Sequence, residues 1–436
     1  MTVFSTSSST SSQVKGGQLA WPGLLALSCA AFTAVMTELL PAGLLPSMAR
    51  PLGVAESRIG FLVTAYAAAS FVAAVPVTAA LRGLPRRPVL CGALLGFAVS
   101  DALVALSSSY PLTFAARLLA GAMGGTLWAM LAGYAARMVP AERRGRAIAI
   151  VLAGITLALS LGVPAGTALA GAVGWRAAFG TLAVLAVLLV VWIRLRVPGF
   201  PGEPRHARVP LGRVARRPGI RPVLSVTLFL LLGHQVMYTY VAPFAAHVGY
   251  ARTGLLLAVF GTATVAGIWL TGVLIDRWPR RTLLVALGVF TGVLLVLGLA
   301  AGAHAVLVGA VALWGIAFGG APTLIQTALV DASGPADADV ATSLQTTVYN
   351  AGIAAGSLTG GVALDARGAG ALPWTALVPV VLALTTVAAG RRHAFPAVRR
   401  AVAPEADQPA GPGRVAVPCT AGDHAVRRSV GHGEGQ

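Results

Sequence analysis

The sequence predicts an all-α integral membrane protein of twelve transmembrane helices in two pseudo-symmetric six-helix bundles, and three observations predict it. The first is composition. Of 436 residues, 56% are apolar and only 11% charged, too little polar surface to coat a water-soluble globule of this length, and none is needed in lipid. The second is spacing. Apolar runs of about 20 residues, the length that crosses a bilayer as a helix, recur near 20–46, 59–81, 88–107, 111–136, 147–173 and 176–193, then near 222–247, 253–275, 282–301, 304–330, 340–364 and 371–390. The third is repetition. Leu84 to Leu90 (LPRRPVL) matches Trp278 to Leu284 (WPRRTLL) 194 residues later, and Gly162, Gly166, Thr167 and Gly171 meet Gly352, Gly356, Ser357 and Gly361 190 residues later. Each match keeps its place within six spans, which points to a duplicated unit with a site between the copies.

The spans divide the chain into a Ser/Thr-rich, disordered cytoplasmic tail at 1–19, a first bundle at 20–193, a cytoplasmic linker at 194–221 rich in Arg, Pro and Gly, a second bundle at 222–390, and a disordered cytoplasmic tail at 391–436. Loops on the side of the termini carry 18 basic residues, against five on the other side: Arg50, Arg58, Arg176, Arg252 and Arg367. By the positive-inside rule both termini face the cytoplasm and the chain lies in the cell membrane. The first apolar run is long and lacks a small-residue cleavage pattern, so a cleaved signal peptide is not expected.

The net charge of +18 does not imply a nucleic-acid partner. All but one of the 32 basic residues are arginines, in short clusters between apolar runs, with no basic face or stacking aromatic array. Cys29, Cys91 and Cys419 show no disulfide or metal spacing. No GxxxxGK[ST] loop appears and no nucleophile shares a site with a base, which argues against a nucleotide motor and against an enzyme.

The stretch Leu161–Phe179, LGVPAGTALAGAVGWRAAF, is apolar yet dense in small residues. Gly162, Gly166 and Thr167 fall on one side of a helix and invite close approach by another backbone. Pro164 removes a backbone donor in the same turn, which a membrane tolerates only where a neighbour or cavity serves the freed carbonyl. A packed, bending helix is expected, and since Ala354 stands opposite Pro164 the second bundle should pack there without bending.

Charge inside the spans is sparse. Glu38 and Asp101 are the carboxylates well inside, joined by Arg117. A charge at the bilayer centre costs roughly 2.5–3.5 kcal/mol on insertion scales, so each requires a partner, water or a function. Counting 1.5 Å per residue from the nearest turns puts all three at similar depth, in one cluster in the outer half of the first bundle. Arg117 is read either as one partner of a permanent salt bridge with Asp101 or as a working charge. In the second reading, desolvation favours the protonated carboxyl, Arg117 opposes it, and an arriving substrate relieves that opposition, so proton and substrate alternate. Arg117, Gly121, Gly125 and Trp128 line one face of span 4. His234, Gln235, Tyr238 and Tyr240 are polar positions in span 7, as are Gln326 in span 10 and Gln345, Tyr349 and Asn350 in span 11.

Four passages carry a family resemblance: Thr37-Glu38-Leu39-Leu40-Pro41 with Gly43 and Leu44-Leu45-Pro46; Arg117 with Gly121 and Gly125; Arg144-Gly145-Arg146-Ala147; and Leu161-Gly162-Val163-Pro164 with Gly174-Trp175-Arg176 and Phe179. Together they resemble the major facilitator superfamily over residues 20–390, and within it the drug and sugar efflux group related to chloramphenicol and arabinose exporters. The last passage looks like that group's antiporter signature. The family's loop after span 2 appears only as Arg82 and Arg86-Arg87, without its acidic residue, while the copy after span 8 keeps Gly272, Asp276, Arg277, Arg280 and Arg281.

The resemblance implies the major facilitator fold and a secondary transporter that exports a small drug-like or sugar-like molecule by proton antiport through alternating access. It needs no cofactor beyond the proton gradient. Its partners are the small-molecule substrate, protons and membrane lipids, and it acts as a monomer; an importer, a uniporter or a non-transporting sensor of the same fold is the alternative. Glu38, Arg117 and Asp101 are assigned to proton coupling. Since spans 1, 4, 7 and 10 surround the family's central path, Trp128, His234, Tyr238, Gln326 and Asn350 are assigned to the substrate cavity, with Tyr238 and Gln326 favoured over span 11 and His234 read as a packed histidine. Gly162, Pro164, Gly166, Asp276, Arg280, Gly352 and Gly356 are assigned to the conformational hinges.

Overall fold

Apolar runs interrupted by proline, glycine and arginine turns give helices joined by short loops. A computed structural model describes residues 21–74, 76–81, 83–140, 143–202, 219–275, 277–333, 338–390 and 394–395. Asp276, residues 1–20 and most of the tail expected at 391–436 lie outside the described residues. The long helices are α1 (Trp21–Gly43), α2 (Glu56–Ala74), α3 (Arg86–Leu106), α4 (Tyr110–Arg137), α5 (Arg144–Leu157, then a π-helical turn Ala158–Gly162, then Val163–Val173), α6 (Trp175–Arg196), α7 (Ile220–Thr239), α8 (Thr253–Leu274), α9 (Pro279–Ala300), α10 (His304–Ser333), α11 (Ala338–Arg367) and α12 (Leu372–Ala389).

Ten of these are long and apolar enough to cross a membrane. The other two, α2 and α11, pack on each other. α11 carries Thr342, Gln345, Thr346, Thr347, Tyr349 and Asn350, and such a face is stable at bilayer depth where protein covers it. The apolar runs near 20–46 and 222–247 each hold a break that hydropathy does not register. After α1 a short helix Leu45–Leu52 begins, and after α7 another, Val241–His247. At the other end of the first set α6 runs on to Arg196, so Arg194 and Arg196 belong to its last turn and not to the linker, where cations favour the helix dipole.

The duplication read from sequence is visible in the packing. The pairs α1–α5, α1–α6, α2–α4, α3–α4 and α3–α6 recur as α7–α11, α7–α12, α8–α10, α9–α10 and α9–α12. The register recurs as well. On α4, Gly121 and Gly125 let the α2 backbone at Tyr66, Ala69 and Ser70 approach; 194 residues on, Gly315 and Gly319 of α10 do the same for Phe260, Ala263 and Thr264 of α8. A Cβ at Gly315 would stand 2.5 Å from the Phe260 carbonyl oxygen, and one at Gly125 2.7 Å from that of Ser70.

In the hinge stretch, Gly162 and Gly166 seat Phe32, Met36 and Leu40 of α1, and their counterparts Gly352 and Gly356 seat Leu228, Leu231, Leu232 and Gln235 of α7. Two causes of bending adjoin here: the π-helical turn ends two residues before Pro164, and such turns, like proline, are a recognised cause of helix bending. Gly261 of α8 packs on that turn, at Leu159 and Ser160. The paired arginine loops match in role: Arg87 donates to the Arg194 and Val197 carbonyls at the end of α6, both at 3.4 Å, and Arg280 to the Val387 and Ala388 carbonyls of α12 at 3.3 and 2.9 Å.

Contacts between the two sets gather where α1, α5, α7 and α11 end. Gly43 abuts Thr167 and Leu257, Gly60 abuts Tyr240, and Gly361 abuts both Phe61 and Tyr240. Substituting Gly121 or Gly315 by Val is expected to destabilise the purified protein by about 1–3 kcal/mol through overpacking against backbone. Gly292→Ala, with open space around it, is expected to be neutral or stabilising by about 1 kcal/mol; thermal unfolding in detergent followed by tryptophan fluorescence compares the three.

Candidate substrate and proton site

Arg117 enters the core from α4 fully buried. Its donors go to main chain: Nη1 to the Thr37 carbonyl, Nη2 to the Glu38 carbonyl at 2.9 Å and Nε to the Leu62 carbonyl at 3.4 Å. The guanidinium carbon also lies 4.9 Å from the centre of the Tyr66 ring, within cation–π range. One arginine thus ties α4 to α1 and α2 through groups that no side-chain substitution removes.

Asp101 comes from α3 and is fully buried. The salt bridge with Arg117 considered from the sequence is not what the side chains form. Asp101 Oδ2 accepts from the Thr37 hydroxyl at 2.8 Å, and Arg117 makes no hydrogen bond to a carboxylate among the described residues. Thr37 stands between them, giving its hydroxyl to one and its carbonyl to the other. Beside them the Ser100 hydroxyl donates to the Ala116 carbonyl at 2.7 Å, fixing α3 to α4. Glu38 Oε1 and Asp101 Oδ1 are both buried without a hydrogen-bond partner. The structure therefore brings together the three charges the sequence placed at one depth. Across from them, Tyr349 of α11 sits within electrostatic reach of Glu38.

The second set fills the equivalent place differently. His234 lies five residues before the end of α7, as Glu38 does in α1, but it is packed among rings. It stacks on Phe318 with centroids 3.6 Å apart and planes 6° from parallel, with Tyr238, Phe260 and Trp314 at 5.3, 5.7 and 5.3 Å. Phe260 is the counterpart of Tyr66. Charge in one half corresponds to aromaticity in the other.

The remaining expectations are sorted by this geometry. Tyr238 is buried inside the aromatic cluster, where it packs against Phe260 and does not line open space. Gln326 is exposed, Trp128 is half-buried and Pro164 half-buried. Asn350 is buried, and its amide donates to the Thr346 carbonyl of its own helix at 3.0 Å. Arg280 caps α12 as described. Tyr349, passed over in favour of Tyr238, is the span-11 side chain near Glu38. Thr37 and Tyr66 were not assigned a role from the sequence; adjacency to Glu38 was the available signal for Thr37, and Tyr66 had none. Because the three carbonyls stay behind when the guanidinium goes, Arg117→Ala is expected to cost about 3–5 kcal/mol of stability. Asp101→Ala should not rescue it, as a double-mutant cycle of thermal unfolding would register.

Comparison with known proteins follows the same lines. The family model described as Major Facilitator Superfamily matches residues 27–357 and 226–419. A chloramphenicol efflux pump of Mycobacterium tuberculosis (strain ATCC 25618 / H37Rv) is 33% identical over 355 residues, 78% of this chain and 85% of the relative. A purine ribonucleoside efflux pump of Escherichia coli (strain K12) is 29% identical over 352 residues, 79% of this chain and 88% of the relative. Among solved structures, a D-xylose–proton symporter superposes with a TM-score of 0.70 at 15% identity, over 87% of this chain and 99% of that one. A bacterial homologue of the human lysosomal transporter Spinster gives 0.68 at 15%, over 87% and 98%. With efflux pumps as relatives, transporter structures of the same fold and apolar helices that cross a membrane many times, the chain is a multi-pass membrane transporter and not an enzyme, and it belongs to the major facilitator superfamily.

Proposed function

We propose that the chain exports a small, partly apolar molecule across the cell membrane by proton antiport, the two six-helix halves rocking about the central site in an alternating-access cycle. The observation that carries this reading is the pair of buried carboxylates, each with one oxygen lacking a hydrogen-bond partner, set around a single buried guanidinium. One ionised carboxylate beside Arg117 leaves the cluster neutral; two leave it with a net negative charge in a low-dielectric place, which favours uptake of a proton. A substrate that offers a hydrogen-bond donor or a positive charge to the same oxygens displaces that proton.

The cargoes named for the relatives, chloramphenicol and purine ribonucleosides, each join a planar ring to a polar, hydroxyl-bearing part. A charged cluster in one half and the His234–Phe318 aromatic cluster in the other suit such a molecule, and export of an antibiotic would confer drug resistance. The surplus of arginines on one side supports cytoplasmic termini. The gradient is sufficient. One charge moved down 100 mV releases about 2.3 kcal/mol, enough for a roughly fiftyfold concentration ratio without ATP.

Acidified inside-out vesicles test the proposal, with chloramphenicol and inosine as probes and compound-triggered proton release as the readout. Wild type is expected to release protons on addition of at least one probe, and Glu38→Gln to reduce that release at least tenfold while keeping its fold. Unchanged release in Glu38→Gln would take Glu38 out of the coupling site, and probe uptake without proton movement in wild type would remove antiport and leave a uniporter.

A further inference from the structure

Most helical threonines here whose hydroxyl bonds are seen bond within their own helix; Thr239, whose hydroxyl meets Ser357 of α11 at 3.0 Å, is an exception at the end of α7. Thr33, Thr113, Thr126, Thr227 and Thr264 all turn the hydroxyl back to the carbonyl four residues earlier, the local bond that a helical threonine ordinarily makes. Thr37 does not. Its hydroxyl leaves α1 and reaches Asp101 Oδ2 on α3, although the Thr33 carbonyl stands four residues back in the same helix. The side chain is fully buried, so the choice between these acceptors is made inside the protein.

The same residue accepts Arg117 at its carbonyl, and the next residue is Glu38, whose carbonyl accepts Arg117 too. Other ionisable groups reach this place from α2, α4 and α11. Tyr66 comes from α2 and Arg117 from α4, and Tyr349 comes from α11 toward Glu38. Helix α6, packed on α3, brings Arg176 only to the end of α3, where it donates to the Ser107 carbonyl at 3.0 Å and stacks on Trp175. Arg117 is thus the cation available to both carboxylates.

We propose that Thr37 is a positioning residue for proton exchange: by fixing Asp101 to the part of α1 that carries Glu38 and holds Arg117, it makes the two carboxylates compete for one positive charge and share one exchangeable proton. The inference rests on the antiport reading above. With Asp101 ionised, the Thr37 O–H donates to it and Glu38 holds the proton. With Glu38 ionised, Asp101 holds the proton and donates it to Thr37 Oγ1, and the threonine hydroxyl turns to the Thr33 carbonyl. The hydroxyl has a satisfied position in either state, so the site changes its protonation without stranding a buried donor.

The experiment uses the full-length protein in acidified inside-out vesicles and the pH profile of proton release triggered by chloramphenicol or inosine. Thr37→Val keeps the shape and removes the hydroxyl, so the ionised form of Asp101 loses its donor. The pH of half-maximal release is expected to rise by about one unit, the size that one hydrogen bond to a charged group implies. Thr37→Ser is expected to restore the wild-type midpoint, which a role in packing alone would not produce. Should valine disturb folding, Thr37→Ala removes the same hydroxyl without added bulk and is expected to give the same shift. A wild-type midpoint in both Thr37→Val and Thr37→Ala, with coupling intact, overturns this inference alone. A wild type that moves the probes without protons overturns the antiport reading and this inference with it.

Discussion

A buried guanidinium bound by main-chain carbonyls is the constraint on which the first half depends. Arg117 cannot be left in lipid or in a dry core without its donors served, and three carbonyls on two helices serve them. That requirement fixes where α1 and α2 stand relative to α4 and brings Thr37 and Glu38 up to Asp101. Because the acceptors are backbone, the arginine holds its place whether or not a carboxylate beside it is ionised. Protonation can change without dismantling the fold, which a direct Asp101–Arg117 salt bridge would not permit, since neutralising one partner there strands the other.

The two halves share a frame and diverge in chemistry. The glycine seam of α4 on α2 and that of α10 on α8 agree residue for residue over Gly121/Gly315, Gly125/Gly319, Tyr66/Phe260 and Ser70/Thr264. Yet Arg117 has Val311 at the matching position, and the space that charge occupies in one half is packed with rings in the other. Duplication supplies two equivalent places around one axis. Divergence leaves one charged and the other aromatic.

Much of this was legible in the sequence because membrane folds obey few rules. Spans followed from run length, and the repeat from the arginine loops and the α5/α11 glycines, because lipid penalises any departure from a continuous apolar helix. The depth of Glu38, Asp101 and Arg117 followed from counting residues to the nearest turn. What counting cannot supply is direction around the helix and choice of partner. Tyr238 and Tyr349 are both aromatic polar residues in mid-span, and only packing decides that it is Tyr238 that enters the aromatic cluster. The helix breaks after Gly43 and Thr239 were hidden because both sides of each break are apolar.

Leu161–Phe179 joins the frame to its motion. Its glycines and those of α11 seat the first helix of each half, so both halves present the same smooth seam. Only α5 is broken: the π-helical turn at Ala158–Gly162 precedes Pro164, while α11 runs as one helix from Ala338 to Arg367. The turn is also where the other half touches, since Gly261 of α8 rests on Leu159 and Ser160. The matching contact on the far side of the axis, α2 on α11, joins one unbroken helix to another. A rocking motion about these two seams would therefore not be shared equally. The α2–α11 seam can slide or tilt as a rigid pair, whereas the α5–α8 seam has a widened, proline-flanked turn to flex, and that turn packs against Phe32 and Met36 in the same helix as Glu38. Under the proposed cycle, bending at α5 would pass to α1 by this contact, which sets the π-helical turn against the helix that carries Glu38.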